Sequence, residues 1–272
     1  MRKFKLLAFD MDGTLLDSGK RVSKRTAEAL ERAASAGFIT AVATGRCLAE
    51  VRSYLDDLSG VKFLVCSSGA AVYNAETLKR IGGTLLSETL VLECLELSKL
   101  EDTMPHLLTE ESLVDAADVA RMEAFKMHPF RELYERVATK VAGLRDAYAK
   151  APFPVEKLNF YHKTPKARAR TRARFSELDL EMFDAAEGNS LECSKRGVTK
   201  ASGMKILCDF LKLDLGSVLA VGDSDNDLDL LKAAGFSIAM GNSNARVKAA
   251  CNAVVGDCDH DGCAEAIEKF VL

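Results

Sequence analysis

The chain has 272 residues, 48% of them apolar and 28% charged, a composition that excludes wholesale disorder, a collagen-like repeat and a coiled-coil rod. Its length exceeds one comfortable domain of ~100–200 residues, so an internal boundary is expected. Lys plus Arg at 37 against Asp plus Glu at 40 leaves a net charge of −3, without the basic excess of a duplex binder, so nucleic acid is not expected as a partner.

The N-terminal residues are basic, but the apolar stretch after them stops at Asp10, short of the roughly 7–15-residue core of a signal peptide. No later run approaches the ~20 apolar residues of a membrane span, so no membrane partner is expected. Residues 4–9 read as a buried strand, 23–36 as an amphipathic helix with Ala27, Leu30 and Ala34 on one face, and 38–43 as a second strand. Ser23 is placed to cap that helix and Gly37 to end it. Runs at 61–66, 217–221 and 236–240 also have buried-strand length, the last two separated by a helical segment at 228–234. This alternation predicts an α/β fold with a doubly wound, mostly parallel sheet covered on both faces.

Between Gly83 and about Ser190 the rhythm changes: charge rises, all five prolines occur, and long polar helices are expected at 131–150 and 165–178. Gly82-Gly83 and Glu187-Gly188-Asn189 read as joints. The expected organisation is one domain from residues 1–82 and 191–272, interrupted by a second at 83–190. The block Lys163, Lys166, Arg168, Arg170, Arg172 and Arg174 splits over two sides of a helix at about 100° per residue, which reads as a solvated face rather than a polyanion stripe. The eight cysteines form no Cys-x-x-Cys and several sit in apolar runs, as free thiols do in a reducing cytoplasm. The four histidines share no zinc-ligand spacing.

Two acidic clusters carry the chemistry. Asp10-Met11-Asp12-Gly13-Thr14 follows the first strand, where open α/β sheets bind ligands, with Gly13 allowing a sharp turn. Residues two apart in an extended segment project to one side, so Asp10 and Asp12 are expected to act together. Gly222-Asp223-Ser224-Asp225-Asn226-Asp227 follows another strand. Carboxylates converging from both would repel unless a cation held them, and hard oxygen donors suit Mg²⁺. A calcium loop starting at Asp223 fails because Leu228 and Ala234 stand where Gly and Glu are required. A second match, Asp257, Asp259, Asp261, Gly262 and Glu268, fits the EF-hand pattern in full. It lacks the flanking helices: 252–255 reads as a strand, and Asp261 is expected to cap a short helix instead.

Thr44-Gly45-Arg46 follows the 38–43 strand, so the Thr44 hydroxyl and nearby N–H groups can meet an anion at the same sheet edge. Lys200 opens a helix carrying Ile206, Leu207, Phe210 and Leu211. A lysine at that helix end is disfavoured by the macrodipole and calls for an anion.

Together, Asp-x-Asp-Gly-Thr-Leu at 10–15, Ala-Thr-Gly-Arg at 43–46, Lys200 and Gly-Asp-x-x-Asn-Asp at 222–227 resemble the four motifs of the haloacid dehalogenase superfamily, in its Cof-like (type IIB) phosphatase branch. Ala239-Met240-Gly241-Asn242 and Asp261-Gly262 resemble that branch too. The resemblance implies a Rossmann-like core and an α/β cap that selects substrate, with Gly82-Gly83 and Gly188 as hinges. It implies Asp10 as nucleophile, Asp12 as general acid and then base, and Thr44, Lys200 and Asn226 as phosphate ligands. Mg²⁺ would be held by the Asp10 carboxylate, the Asp12 carbonyl and Asp223, with Asp227 orienting its surroundings and Gly45 and Arg46 on the substrate side. Ser68-Gly69-Ala70 departs from the branch's usual Asn-Gly-Ala, and Cys193 stands where an aliphatic is usual.

The function these features imply is a cytoplasmic, Mg²⁺-dependent phosphatase. Its substrate would be a small phosphorylated metabolite, a sugar phosphate or a phosphorylated cofactor, and its state a monomer or weak homodimer. A phosphomutase would share the aspartyl-phosphate, and a non-catalytic phospholigand sensor would share the acidic pocket, Thr44 and Lys200. Asp12 argues against the sensor, since a mere acceptor needs no acid two residues on.

Overall fold

A computed structural model describes residues 4–185 and 189–272. The chain divides into two compact units. The first contains residues up to Gly45, Ser53–Gly83 and Thr199–Leu272; the second contains Arg46–Arg52 and Thr84–Val198.

The first unit opens with β1 (Leu6–Phe9), β2 (Ile39–Ala43), β3 (Phe63–Cys66), β4 (Ala71–Asn74) and β5 (Arg80–Gly83). The second unit holds β6 (Met104–Leu108), β7 (Ser112–Asp115), β8 (Ala138–Val141), β9 (Lys157–Tyr161), β10 (Leu180–Asp184) and β11 (Leu191–Lys195). The chain then returns to the first unit for β12 (Val218–Gly222), β13 (Phe236–Ala239) and β14 (Ala253–Val254).

The first unit's sheet runs β14-β13-β12-β1-β2-β3-β4-β5. Only the β3–β4 and β4–β5 pairs are antiparallel. All four residues of β1 are fully buried, as a strand covered on both faces requires. On one face Leu6, Ala8, Ala41 and Ala220 pack with Met204, Leu207, Leu231 and Val247. The helix Lys24–Ser35 begins where expected, with the Ser23 hydroxyl accepting from the Thr26 N–H at 3.1 Å. β1 has β2 on one side and β12 on the other, although its partners in β12 lie 212 positions further along the chain, Phe9 opposite Val221. The order of strands therefore reverses at β1, and a ligand crevice belongs at its carboxyl end.

The second unit's sheet runs β10-β11-β9-β6-β7-β8. Leu107, Leu158, Phe160, Leu191 and Cys193 form an apolar face packed with Val91, Leu95, Tyr148 and Phe175 from helices. His106 and Tyr161, on the other face, join a buried polar network. The His106 ring meets Ser112 Oγ at 2.8 Å and Tyr134 OH at 3.0 Å, and Ser112 Oγ donates to Glu50 Oε1 at 3.1 Å.

Three expectations are corrected. Residues 131–150 are not one helix: Arg131–Val137 and Leu144–Lys150 flank β8, whose Thr139 and Val141 pair in parallel with β7. β-branched residues favour a strand there, and Gly143 takes a left-handed conformation before the second helix. The segment 191–195, assigned from sequence to the outer domain, is β11 between β10 and β9 of the second sheet. Arg46–Arg52 groups with the second unit because the helix Leu48–Arg52 carries Glu50 into its polar network. The expected joint residues Glu187 and Gly188 lie outside the described residues.

Candidate active site

Strand register assembles the site. Phe9 pairs with Val42 on one side and Val221 on the other, so Asp10, Thr44 and Asp223 emerge at the carboxyl ends of three adjacent strands. The Asp10 N–H still donates to the Val221 carbonyl at 2.9 Å, after which the chain turns. Gly13 has φ +79°, and a Cβ there would lie 2.7 Å from Asp223 Oδ2. That close approach lets the Thr14 hydroxyl donate to Asp223 Oδ1 at 3.1 Å.

Lys200 reaches the same point from the start of the helix Lys200–Leu211, fixed by a capping box between Thr199 and Ser202. The turn Ser67–Gly69 braces that start. All three residues have positive φ, and a Cβ on Gly69 would sit 1.9 Å from the Thr199 carbonyl oxygen. The Lys200 ammonium is 1% exposed and donates to Asp10 Oδ1 at 2.5 Å and to Asp227 Oδ1 at 2.6 Å. These carboxylates answer the macrodipole objection to a lysine at this end.

The other oxygen of Asp227, Oδ2, accepts the N–H groups of Asp223 and Ser224 at 3.0 Å each. Both of its oxygens are therefore engaged. Asp10, Asp223 and Asp227 each offer a carboxylate oxygen within 4.8 Å of the others. Burial pushes the Asp10 carboxyl well above its usual range; the Asp227 and Asp223 charges add to this and Lys200 opposes it. Asp223 is pushed up to about 6, first by burial and then by Asp227. Burial works against the Lys200 charge, but Asp10 and Asp227 outweigh it and hold the ammonium protonated. Three carboxylates against one ammonium, with hard oxygen donors converging, fit a divalent cation such as Mg²⁺.

Residues 7–267 match the family profile of haloacid dehalogenase-like hydrolases. The chain belongs to that family. It is a haloacid dehalogenase-type phosphatase of the Cof-like branch. The chain is 28% identical over 268 residues to the phosphoglycolate phosphatase of Methanobrevibacter smithii, covering 98% of each protein. It is 26% identical over 285 residues to the chloroplastic endoribonuclease YBEY of Arabidopsis thaliana, covering 99% of this chain but spanning only 47% of that relative. The crystal structure of a haloacid dehalogenase-like hydrolase from Bacteroides thetaiotaomicron aligns with a TM-score of 0.83 at 25% identity, over 98% of this chain and 99% of that one.

In this haloacid dehalogenase-like phosphatase the expected residues do not all converge. The Asp12 carboxylate is not among the three that meet around Lys200: its Oδ1 accepts from Lys20 Nζ at 2.8 Å, and the chain turns after Asp10 instead of staying extended. Thr44 is buried at the end of β2, its N–H donating to the Val65 carbonyl and its carbonyl accepting from Ser68. Gly45 follows it, and Arg46, 7% exposed, belongs to the second unit. Asn226 Oδ1 accepts from the Ser224 hydroxyl at 2.7 Å, shaping the turn that presents Asp223. Asp225 is exposed and faces Arg246 at 3.5 Å.

Sequence reasoning missed Lys20 and Asn242 as site residues. Asn242 Nδ2 donates to the Gly13 carbonyl at 2.9 Å and approaches Asp223 Oδ2 at 3.4 Å. Its signal lay in Ala239-Met240-Gly241-Asn242, noted only as a likeness. Lys20 carried none, since an ion pair across a turn leaves no periodicity.

The acidic residues of the EF-hand pattern are engaged by other groups of the protein. Asp257 holds the Asp259 N–H and His260, Asp259 accepts from Ser18, and Glu268 pairs with Arg25 and Arg32. Asp261 corrects its expected capping role: it precedes the helix Gly262–Phe270 in a left-handed conformation, and its carboxylate accepts from the Ser23 hydroxyl at 2.5 Å. The arginine block is likewise spent internally. Arg170 and Arg174 both bind Glu101, holding its carboxyl down to about 2, while Arg168 and Arg172 face Asp184.

Proposed function

We propose that the protein is a magnesium-dependent phosphatase that hydrolyses a small phosphate monoester, a sugar phosphate or a phosphorylated cofactor, through an aspartyl-phosphate on Asp10. The observation that carries this reading is the buried Lys200 ammonium between Asp10 and Asp227, beside Asp223, at the carboxyl end of the central strand. A carboxylate nucleophile beside a fixed cation suits phosphoryl transfer, which asks chiefly for alignment and charge stabilisation.

Asp10 attacks phosphorus while the bond to the ester oxygen breaks, and Asp12 gives that oxygen its proton. Asp12 then takes a proton from the water that attacks the aspartyl-phosphate, and inorganic phosphate leaves. Lys200 and Thr44 hold the phosphoryl oxygens, with Asn226 helping to fix them and Gly45 and Arg46 on the substrate side. Asp227 aims Lys200. Magnesium, held by Asp10, Asp223 and the Asp12 carbonyl, would neutralise charge on the transferred group. The second unit is assigned the choice of leaving group.

The six buried and two half-buried cysteines are all free thiols, which supports a reducing, cytoplasmic setting. Among the described residues no helix is long and apolar enough to cross a membrane. The partner assigned on this reading is a small phosphorylated metabolite, and the state a monomer or weak homodimer.

The test is a panel of phosphate esters assayed with and without Mg²⁺. Phosphate released in step with substrate loss, and only with the metal, is expected. An isomerised sugar phosphate without release would make the protein a mutase, and tight ligand binding without turnover a sensor.

A further inference from the structure

We propose that Lys20 is a positioning residue that aims the Asp12 carboxyl during proton transfer; the proposal rests on the reading of Asp12 as general acid. Leu16, fully buried, bridges Asp12 on one side and Val22 on the other, anchoring a tight turn at 17–21. The turn is closed by Asp17 N–H to the Arg21 carbonyl, Lys20 N–H to the Asp17 carbonyl, and Arg21 N–H to Asp17 Oδ1, each at 2.9 Å. It delivers the Lys20 ammonium to Asp12 Oδ1 at 2.8 Å.

Stability does not account for this arrangement. The Lys20 and Asp12 side chains are 42% and 36% exposed, and an ion pair so open to water contributes little to folding. The turn takes its left-handed residue at Lys20 (φ 59°), a conformation that Lys126 and Lys212 also adopt, and holds the ammonium against Asp12. A carboxyl moves its proton on one oxygen, so a bond holding Oδ1 directs the other.

Aim matters only where the leaving oxygen needs a proton. An alkoxide leaves poorly without one, whereas p-nitrophenolate departs unaided. The experiment compares kcat/KM, which reports the step that phosphorylates Asp10, for p-nitrophenyl phosphate and for the best alkyl substrate in a panel of sugar and polyol phosphates. Lys20→Met should lower the alkyl-to-aryl ratio by about 10-fold, a part of the roughly 10²–10⁴-fold that a general acid supplies. Lys20→Arg, which restores a cation over Asp12, should recover most of the ratio. Turnover of the aryl ester by Lys20→Met reports that the variant is folded.

A ratio unchanged in Lys20→Met, or one lowered equally in Lys20→Met and Lys20→Arg, overturns the proposal. Asp12→Ala separates the two readings. If it lowers the ratio and Lys20→Met does not, Lys20 is idle while Asp12 remains the acid. If Asp12→Ala leaves the ratio intact, or no alkyl phosphate is turned over, the general-acid reading fails and takes this proposal with it.

Discussion

Asp227→Asn replaces one atom, yet it should disable a site whose geometry depends on a group that accepts on both sides. Oδ1 receives the Lys200 ammonium, and Oδ2 receives the N–H groups of Asp223 and Ser224. An asparagine has one accepting oxygen. If its oxygen faces the two N–H groups, its amide NH₂ meets the ammonium. If it flips, two buried N–H groups lose their acceptor, at about 1–3 kcal/mol each. Losing the charge also removes one partner of a buried lysine, a change of about 3–5 kcal/mol in comparable pairs. Relief for Asp10 and Asp223, both raised by Asp227, offsets part of this. The expected net is about 2–4 kcal/mol of lost stability. Thermal denaturation at pH 7 without Mg²⁺ measures it, with Asp225→Asn as the control. Asp225 is exposed and pairs only loosely with Arg246, so its change should stay within about 0.5 kcal/mol. Equal melting temperatures for Asp227→Asn and the unsubstituted protein would refute the two-sided acceptor argument.

Gly69→Ala should cost more than about 3 kcal/mol and abolish turnover, because its Cβ cannot coexist with the Thr199 carbonyl unless the start of the Lys200 helix moves; denaturant titration and phosphate release check both. Mg²⁺ affinity should fall as pH drops through about 6, where Asp223 holds its proton, with proton release on binding visible as buffer-dependent heat in calorimetry. His106 is buried and neutral, its pKa pushed down to about 3 by burial and then by the Lys157 charge. The unfolded chain, with a histidine pKa of about 6.5, binds the extra proton first, so stability present above that pH is lost as pH falls. The loss is about 2 kcal/mol at pH 5; a second unit equally stable at pH 7 and 5 in hydrogen exchange would contradict it.

Much of the architecture was legible because buried parallel strands read as short apolar runs: β1, β2, β3, β12, β13 and β14 lie within two residues of their expected ends, whereas the antiparallel β4 and β5 were not read. The helix Lys24–Ser35 was legible through Ser23, whose cap is a local interaction. What failed depended on partners distant in sequence. A run at 138–141 becomes a strand because β7 offers it a ladder, and 191–195 joins the second sheet because β9 and β10 flank it. The candidate site shows the same division. Motif spacing placed Asp10, Thr44 and Asp223 at sheet ends and Lys200 at a helix start and pointed to converging carboxylates, but the meeting of Asp10, Asp223 and Asp227 around the Lys200 ammonium follows from strand register. The two-residue alternation expected to align Asp12 with Asp10 does not hold, because the chain turns after Asp10 and Asp12 pairs with Lys20.

The covalent role of Asp10 is tested most directly in Asp12→Ala given p-nitrophenyl phosphate and Mg²⁺, where the leaving group needs no proton and the water-activating base is missing. Acid quench, digestion and mass spectrometry should find one phosphoryl group on the peptide carrying Asp10. Phosphate released at full rate with no modified peptide, or a phosphoryl group on another residue, would contradict the account.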